Sequence, residues 1–267
     1  MQLHEIKKTL ITGATSDLGI RVAEQLASRG IELILTAKSR EPLLELKQIL
    51  QKKAPITTHV GNLLSPETRK EIAALIEEHK PELIINNAGK GLYGPALMHT
   101  IEEQLEIIDI NAKALLEITL SAARTLKKAQ KRGIILNISS AASFFSYPTF
   151  CVYSASKAFV TNFSRGLDQE LRNSNIRVLC ACPGQIETAF RVKAAKNYPQ
   201  RPARGAISPS KAAKLLLKQI EKEKPLYVFN WHYRAGLFIA HYLLPSALVE
   251  RFLQRIIRKR YPTERGA

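Results

Sequence analysis

KKTLITGATSDLG, residues 7–19, is the stretch that decides the fold. It begins as an apolar strand, turns at Gly13 and continues into a helix that we expect to begin near Leu18. A strand, turn and helix in this order present backbone N–H groups and a helix N-terminus to a pyrophosphate. Because Gly13 and Gly19 are spaced more widely than the glycines of GxGxxG, a tight turn without a ligand is the alternative.

Strand-like runs alternate with helical stretches along the rest of the 267-residue chain, which is long enough for a full core. Stretches such as VAEQLASRG (22–30) have the apolar spacing of helices that cover a sheet. The alternation predicts an α/β fold with a doubly wound parallel sheet of about seven strands. The expected strands are 7–12, 31–37, 56–60, 82–86, 133–139, 177–182 and 226–230.

A second informative stretch is YSASK, residues 153–157. Tyr153 and Lys157 are four residues apart, so on a helix their side chains share one face. A neighbouring cation favours the ionised phenol, so we expect Lys157 to lower the pKa of Tyr153 from about 10 and make it a proton donor near neutral pH. The reduction of a carbonyl group requires such a proton donor, and a hydroxyl from Ser140 could hold the same carbonyl oxygen. An amphipathic helix edge explains the same spacing without any chemistry.

Six motifs occur in order over about residues 5–190, and together they resemble the short-chain dehydrogenase/reductase family. The resemblance implies a single Rossmann-like domain that binds a nicotinamide cofactor and moves a hydride between that cofactor and a carbonyl or alcohol. The motifs are TGATSDLG (Thr12–Gly19), NNAG (Asn86–Gly89), IN (Ile110–Asn111), ISS (Ile138–Ser140), YSASK (Tyr153–Lys157) and PGQIET (Pro183–Thr188).

The resemblance also assigns catalytic roles. Tyr153 would be the general acid/base, and Lys157 would bind the nicotinamide ribose and lower the tyrosine pKa. Ser140 would orient the substrate oxygen; Ser139 is its rival, but the thirteen-residue offset to Tyr153 favours Ser140. Asn111 would hold a water in the proton relay.

A larger set of residues is expected to bind the cofactor by the same resemblance, with Asn86 at the strand end beside it. The set is Gly13, Thr15, Ser16, Asp17, Leu18, Gly19, Lys38, Arg40, Asn62, Leu63, Asn87, Ala88, Gly89, Tyr153, Lys157, Pro183, Gly184, Ile186 and Thr188.

Two positions depart from the family pattern. Asp17 stands where the family usually has its middle glycine, and we expect it to tolerate left-handed backbone and to cap the helix that follows. A carboxylate there would repel a pyrophosphate, which keeps open a non-catalytic dinucleotide-binding sensor or scaffold. Asn62 stands where the family commonly has an aspartate near the adenine, and an amide can still accept from the adenine amino group.

The residues after the second strand predict which dinucleotide is bound. An acidic residue there would select NAD through the ribose 2′-hydroxyl, but Ala37 occupies that position. Lys38 and Arg40 follow it, and cations suit a 2′-phosphate. We therefore expect NADPH as the cofactor and reduction as the working direction. Two solvated cations at a helix start are the alternative.

The net charge of +17 is concentrated at the end of the chain, where residues 189–267 hold 17 Lys/Arg against 4 Asp/Glu. We assign residues 1–230 to the domain and 231–267 to an apolar and basic C-terminal extension. Its longest uncharged run, fifteen residues, is too short to span a membrane. In SALVERFLQRIIRKR (246–260), one expected helix side carries Leu248, Phe252, Ile256 and Ile257, bordered by Arg251, Arg255 and Arg258.

Three explanations fit this basic segment: an anionic substrate, peripheral contact with an anionic membrane, or packing on the domain or a second subunit with solvated cations. No nucleic-acid-binding module is recognisable. The family resemblance implies a homodimer or homotetramer through the long helices that precede Gly133 and carry Tyr153.

Cysteine spacing and the N-terminus predict a reducing compartment. Cys180 and Cys182 share one strand face, so we expect no disulfide between them, and we expect all three cysteines, including Cys151, to be free buried thiols. No His/Cys cluster has metal spacing. MQLHEIKK lacks the apolar region of a signal peptide, so we expect a cytoplasmic protein, with the cytoplasmic membrane face as its peripheral site.

The expected activity is NADPH-dependent reduction of a hydrophobic carbonyl by Tyr153. The pocket stretch after the PG motif would be about Phe190–Ile207. Its cations suit an anionic group near the mouth, as in a 3-oxoacyl thioester, whereas the apolar tail suits a membrane-dissolved ketone. These cations are Arg191, Lys193, Lys196, Arg201 and Arg204.

Overall fold

The computed structural model describes residues 2–196, 205–230 and 233–236, together with positions 239, 245, 248–249, 251 and 255. Strands and helices alternate through this part of the chain. The strands are β1 (Lys8–Thr12), β2 (Glu32–Ala37), β3 (Ile56–Val60), β4 (Leu83–Asn86), β5 (Gly133–Ile138), β6 (Ile176–Cys182) and β7 (Leu226–Val228). The helices are α1 (Asp17–Ala27), α2 (Arg40–Leu50), α3 (Pro66–His79), α4 (Ile101–Ile108), α5 (Leu115–Lys128), α6 (Cys151–Leu171), α7 (Ala189–Ala195) and α8 (Pro209–Glu221).

All seven strands form one parallel sheet in the order β3-β2-β1-β4-β5-β6-β7. The chain winds outward from β1 to β3 and then returns to β4 on the other side of β1. Thr12, at the end of β1, pairs with Thr36 of β2 and with Asn86 of β4. The connections on the two sides of this point diverge, and such a divergence opens a crevice at the carboxyl edge of the sheet.

The sheet is buried on both faces because helices cover each of them. Apolar residues of α1, α2 and α8 pack on one face, and those of α3, α5 and α6 pack on the other. Leu10 and Ile11 show the alternation, since successive residues of β1 enter opposite cores. Near-continuous apolar strands are typical of such a sandwiched parallel sheet.

The prediction of a Rossmann-like doubly wound sheet of seven strands is confirmed. The segment 246–260, predicted as a basic amphipathic helix, lies mostly outside the described residues, and so do Arg201 and Arg204. None of the helices described has the length and apolarity needed to cross a membrane.

An ion pair with a buried carboxylate connects α6 to β6, the strand next to the β7 edge of the sheet. Asp168, 2% exposed, accepts from Arg177 at both oxygens, Nε to Oδ1 at 2.9 Å and Nη2 to Oδ2 at 3.1 Å. The backbone N–H of Val178 also donates to Asp168 Oδ1, at 2.9 Å. Arg177, 21% exposed, also donates to Glu223 at 3.0 Å, so removing Asp168 leaves only the buried Val178 N–H of these two donors without an acceptor.

We expect Asp168→Ala to lower the free energy of unfolding by about 2 kcal/mol, because the buried Val178 N–H loses its acceptor, while Arg177 keeps its ion pair with Glu223. Urea denaturation followed by circular dichroism measures the change. Glu170→Ala is the control, since Glu170 is exposed two residues further along α6 and should cost less than about 0.5 kcal/mol. Equal losses in the two variants would contradict the stabilising role of the pair.

Candidate active site

The crevice at the carboxyl edge of the sheet contains a cavity of about 710 Å³. Most of the residues predicted from the sequence line it. Those that line it are Gly13, Thr15, Ser16, Asp17, Leu18, Lys38, Asn62, Leu63, Asn87, Ala88, Gly89, Ser140, Tyr153, Lys157, Pro183, Gly184, Ile186 and Thr188. Gly19, Arg40 and Asn111 are outside the lining.

The turn after β1 lies tightly against the end of β4. Gly13 has φ +63°, and a Cβ on it would lie 2.9 Å from Ala88 Cα, so only glycine fits. The N–H groups of Asn87 and Ala88 both donate to Thr12 Oγ1 at 3.1 Å. The Asn87 amide donates to the carbonyls of Thr12 and Gly13 and to Ser16 Oγ. Asn87 therefore organises the turn as well as lining the cavity.

Gly19 acts by packing and not by contact with a ligand. A Cβ on Gly19 would lie 2.5 Å from the Gly13 carbonyl oxygen, so a side chain there would push α1 away from the turn. The glycine thus holds the helix N-terminus against the crevice. This is how the wide glycine spacing still builds a nucleotide-type turn.

The two expectations for the Asp17 backbone and side chain are wrong. Asp17 is the first residue of α1, while the left-handed residue of the turn is Gly13. Ser16 caps the helix, accepting from the Gly19 N–H at 3.1 Å. The Asp17 carboxylate instead accepts from the backbone N–H of Ala189, at 2.8 Å, across the crevice.

The part of the crevice beside the end of β2 carries one of the two predicted cations. Lys38 lines the cavity beside the buried Ala37, and Arg40 begins α2 outside the lining. Asn62 is exposed at the rim, and its Oδ1 accepts from the Leu64 N–H at 3.2 Å. Among these lining residues there is no carboxylate at the end of β2 to receive a ribose 2′-hydroxyl.

Helix α6 brings the catalytic candidates together. Tyr153 and Lys157 are both buried and both line the cavity, and the Lys157 ammonium lies 5.8 Å from the centroid of the Tyr153 ring. Ser140 follows β5 and lines the same cavity, and its hydroxyl acts to lower the pKa of the Tyr153 phenol. Ser139 turns inward: its hydroxyl donates to the Lys157 carbonyl at 2.8 Å and pairs with Thr161 at 2.7 Å. This contrast favours Ser140 over Ser139.

Burial, not the neighbouring cation, sets the protonation of this pair. Burial raises the pKa of Tyr153 to about 12, and the nearby Ser140 hydroxyl offsets part of this rise. Burial also lowers the pKa of Lys157 from its ordinary 10.5 to about 8. The Lys157 ammonium donates to the Ile138 carbonyl at 2.8 Å. The prediction that Lys157 lowers the tyrosine pKa is therefore wrong for this structure.

Asn111 lies within a π-helical turn, Asp109–Ala114, between α4 and α5. Its amide donates to the Lys90 carbonyl at 2.9 Å and to Ser156 Oγ at 3.0 Å, and its Oδ1 accepts from the Lys90 N–H at 2.9 Å. The side chain thus connects the loop after β4 to α6. π-Turns are frequent at functional sites.

Asn111 and Lys157 approach each other at Gly89. A Cβ on Gly89 would lie 3.3 Å from Asn111 Oδ1 and 3.5 Å from Lys157 Nζ. The missing side chain leaves room between the two polar atoms. Asn86, by contrast, points into the core, where its amide donates to Thr119 Oγ1 at 3.0 Å and Asn137 Oδ1 at 2.8 Å.

An aromatic wall on the substrate side was not singled out from the sequence. Tyr93 stacks on Phe150 with ring centroids 4.0 Å apart, and Phe150 stacks on Tyr153 at 4.1 Å. Phe190 of α7 lies 5.9 Å from the Tyr153 ring. The aromatic run SFFSYPTF (143–150), just before YSASK, is the signal that would have indicated this wall.

The loop that carries the wall is strained at one residue. Thr149 has φ +61°, an unusual conformation for a β-branched side chain. Its carbonyl accepts from the Gly94 N–H at 2.8 Å, which connects the two loops that form the wall. The strain lies at the rim of the cavity, where such conformations are concentrated in functional sites.

The basic residues after the PG motif have two different environments. Arg191 and Lys193 line the cavity, whereas Lys196 pairs with Glu103 of α4.

The three cysteines are free, as predicted, and Cys180 and Cys182 are buried. Cys151 is exposed at the start of α6, which corrects the expectation that all three thiols are buried.

Comparisons with known proteins agree with this geometry. The family model described as short chain dehydrogenase matches residues 7–199. Sulfoacetaldehyde reductase 2 of Chromohalobacter salexigens is 35% identical over 68% of this chain and 73% of its own. Very-long-chain 3-oxoacyl-CoA reductase-B of Danio rerio is 26% identical over 92% of this chain and 79% of its own.

A solved short-chain dehydrogenase from Sphingobium yanoikuyae, in complex with NADPH, has a TM-score of 0.79 at 23% identity and covers 98% of each chain. That likeness shows the fold, and the family match covers most of the chain together with its dinucleotide crevice and YSASK helix. The chain therefore belongs to the short-chain dehydrogenase family and is an oxidoreductase that uses a nicotinamide dinucleotide.

Proposed function

We propose that the protein is an NADPH-dependent reductase that converts a hydrophobic ketone or 3-oxoacyl carbonyl to an alcohol. The observation that carries the proposal is the meeting of Ser140, Tyr153 and Lys157 in one cavity with the turn after β1. A bound nicotinamide would supply the hydride. The assembled group of side chains favours this function over the alternative of a dinucleotide-binding sensor or scaffold.

Tyr153 is suited to give a proton to the carbonyl oxygen. With a pKa of about 12 it is fully protonated at neutral pH, and it lines the cavity from a buried position. The Ser140 hydroxyl, which lines the same cavity, would donate a second hydrogen bond to that oxygen. As hydride reaches the carbonyl carbon, negative charge develops on the carbonyl oxygen and makes that oxygen more basic. The proton of Tyr153 is then transferred to it more easily.

The proton lost by Tyr153 would be replaced through Lys157 and Asn111. Lys157, with its pKa lowered to about 8, releases a proton more readily than an exposed lysine would. The space beside Gly89 brings its ammonium near Asn111 Oδ1, and a water there would connect the two. Asn111 would take part by holding that water, while its amide fixes the surrounding loop.

The Tyr93–Phe150–Tyr153 stack supports an apolar substrate. A carbonyl reaching Tyr153 would lie beside aromatic surface, and Phe190 closes the opposite side. Arg191 and Lys193 at the lining would suit a carboxylate, phosphate or thioester-linked anionic carrier at the mouth. A carbonyl on an apolar chain with an anionic end matches both features, and the relative named as an acyl-CoA reductase has such a substrate in its name.

Assembly into a dimer or tetramer is part of the proposal. Ile101, Leu105 and Ile108 are 45–70% exposed on α4, and Phe159 is 40% exposed on α6. Apolar side chains on neighbouring helices are the kind of surface that a second subunit covers.

We also propose that the protein is cytoplasmic and that its extension, residues 231–267, would contact an anionic membrane.

Replacing Tyr153 tests the chemistry. We expect Tyr153→Phe to lower kcat for NADPH-dependent ketone reduction by about 1000-fold, because the proton donor is lost. NADPH affinity should stay within about threefold, since the ring and its stacking remain. Steady-state kinetics and calorimetry measure the two quantities. Tyr227→Phe, on β7 outside the cavity, is the control, and full activity of Tyr153→Phe would contradict the role.

Cofactor preference tests the cation at the end of β2. We expect Lys38→Ala to raise the Kd for NADPH about tenfold, the effect of losing one exposed charge-assisted hydrogen bond, and to leave NADH binding unchanged. Arg40→Ala should have a smaller effect because Arg40 is outside the lining. Lys52→Ala, an exposed lysine after α2, is the control. Wild-type binding of NADH as tight as that of NADPH would overturn the assignment.

The buried lysine predicts a pH dependence of stability. Its folded pKa of about 8 is below its ordinary 10.5, so between these values the unfolded chain holds a proton that the folded chain has released. Stability therefore rises with pH across this window. We expect wild type to gain about 2–3 kcal/mol relative to Lys157→Met between pH 8 and 10.5.

Urea denaturation at pH 7, 8, 9 and 10.5 measures this difference. Lys211→Met removes an exposed lysine at the start of α8 and is the matched control. A wild-type advantage that stays constant from pH 7 to 10.5 would show that burial does not perturb Lys157.

A further inference from the structure

Helix α7 spans the crevice from the nucleotide side to the substrate side. At its N-terminus the Ala189 N–H donates to Asp17 Oδ2 at 2.8 Å, which attaches the helix to the turn after β1. At its C-terminal end the Ala194 carbonyl accepts from the Tyr93 N–H at 2.8 Å, which attaches it to the aromatic wall. The helix is therefore fixed at both edges of the cavity.

The contact at the N-terminus depends on Asp17. Thr188 holds the N-cap position of α7, but its side chain makes no capping hydrogen bond. Asp17 supplies the acceptor from 172 residues away. Because Ser16 already caps α1, the Asp17 carboxylate has no capping duty on its own helix. A carboxylate is also favoured beside a helix N-terminus by its partial positive charge.

The position of this contact conflicts with an anionic ligand. Ser16, Asp17, Thr188 and Ala189 all line the same cavity, at the place where the turn offers its N–H groups to a pyrophosphate. A pyrophosphate brings negative charge next to the Asp17 carboxylate, and both would compete for the Ala189 N–H. Two anions cannot share one N–H donor at hydrogen-bond distance without repulsion.

We propose that the hydrogen bond between Asp17 and Ala189 is a latch that holds α7 at the crevice, and that the pyrophosphate of a dinucleotide competes with Asp17 for the Ala189 N–H and displaces it. This proposal rests on the proposed function for its ligand.

Opening of the latch reaches the substrate side through Phe190. Phe190 follows Ala189 directly, lies 5.9 Å from the Tyr153 ring, and is packed against Gly91, where a Cβ would approach it to 2.8 Å. When Ala189 exchanges one acceptor for another, the position of Phe190 changes with it. The latch thus couples occupancy of the nucleotide site to the wall of the substrate pocket.

Hydrogen–deuterium exchange and calorimetry on the full chain test the latch. We compare wild type, Asp17→Ala, Asp17→Asn and the control Glu187→Gln, which removes an exposed carboxylate from the same segment. Without cofactor, we expect the amide of Ala189 to exchange about tenfold faster in Asp17→Ala than in wild type, with Asp17→Asn between them. Glu187→Gln should exchange like wild type.

Titration with NADPH gives the second readout. We expect Asp17→Ala to bind NADPH about tenfold more tightly than wild type, because no carboxylate has to be displaced. Saturating NADPH should then remove the difference in exchange at Ala189. Glu187→Gln should change the Kd by less than about threefold, which separates the hydrogen bond from general charge.

Several results would overturn the proposal. Equal exchange at Ala189 in wild type and Asp17→Ala would show that the latch does not hold α7. Weaker or equal NADPH binding by Asp17→Ala would show that Asp17 does not oppose the ligand, while the proposed cofactor would stand. Failure of wild type and all variants to bind either NADPH or NADH would overturn the displacement step and the proposed function together.

Discussion

The structure depends on the close approach of the turn after β1 to the end of β4. Gly13 lies so close to Ala88 that a Cβ on Gly13 would be 2.9 Å from Ala88 Cα. Thr12 Oγ1 accepts hydrogen bonds from the N–H groups of Asn87 and Ala88, which follow β4. This junction is where the sheet reverses its winding direction, so it sets the width of the crevice. The junction also holds Asn87 across the turn, where its side-chain amide donates to the Gly13 carbonyl and to Ser16 Oγ. Through Ser16, this contact positions the N-terminus of α1. Nothing larger than glycine at position 13 would allow it.

Burial governs the chemistry that the crevice can support. Tyr153 and Lys157 share a helix face, as their spacing requires. Burial raises the pKa of Tyr153 and lowers the pKa of Lys157, so it favours the neutral form of both side chains. The protonated Tyr153 phenol can give up one proton, and Lys157, whose pKa is about 8, can supply the proton that replaces it. In this state the phenol is protonated and can act as a proton donor. Binding of a dinucleotide would change the solvation of both groups.

Helix α7 connects the two halves of the site. Its two anchors come from residues far apart in the chain, Asp17 in the first turn and Tyr93 in the loop after β4. The helix has seven residues, too few to be stable by itself in water. Its position is thus decided by these anchors and by packing of Phe190, which makes it sensitive to what occupies the crevice.

The sequence by itself determined the sheet, the family and most of the cavity lining. Local patterns are enough for these, because alternating apolar strands and helices define a doubly wound sheet and the motif residues follow strand ends. Only the tertiary structure decided that Asp17 reaches Ala189, that Ser139 turns inward, and that burial outweighs the Lys157 charge. Each of these depends on groups distant in sequence or on solvent exclusion, and neither is encoded in local spacing. The aromatic wall likewise required two loops to meet in space.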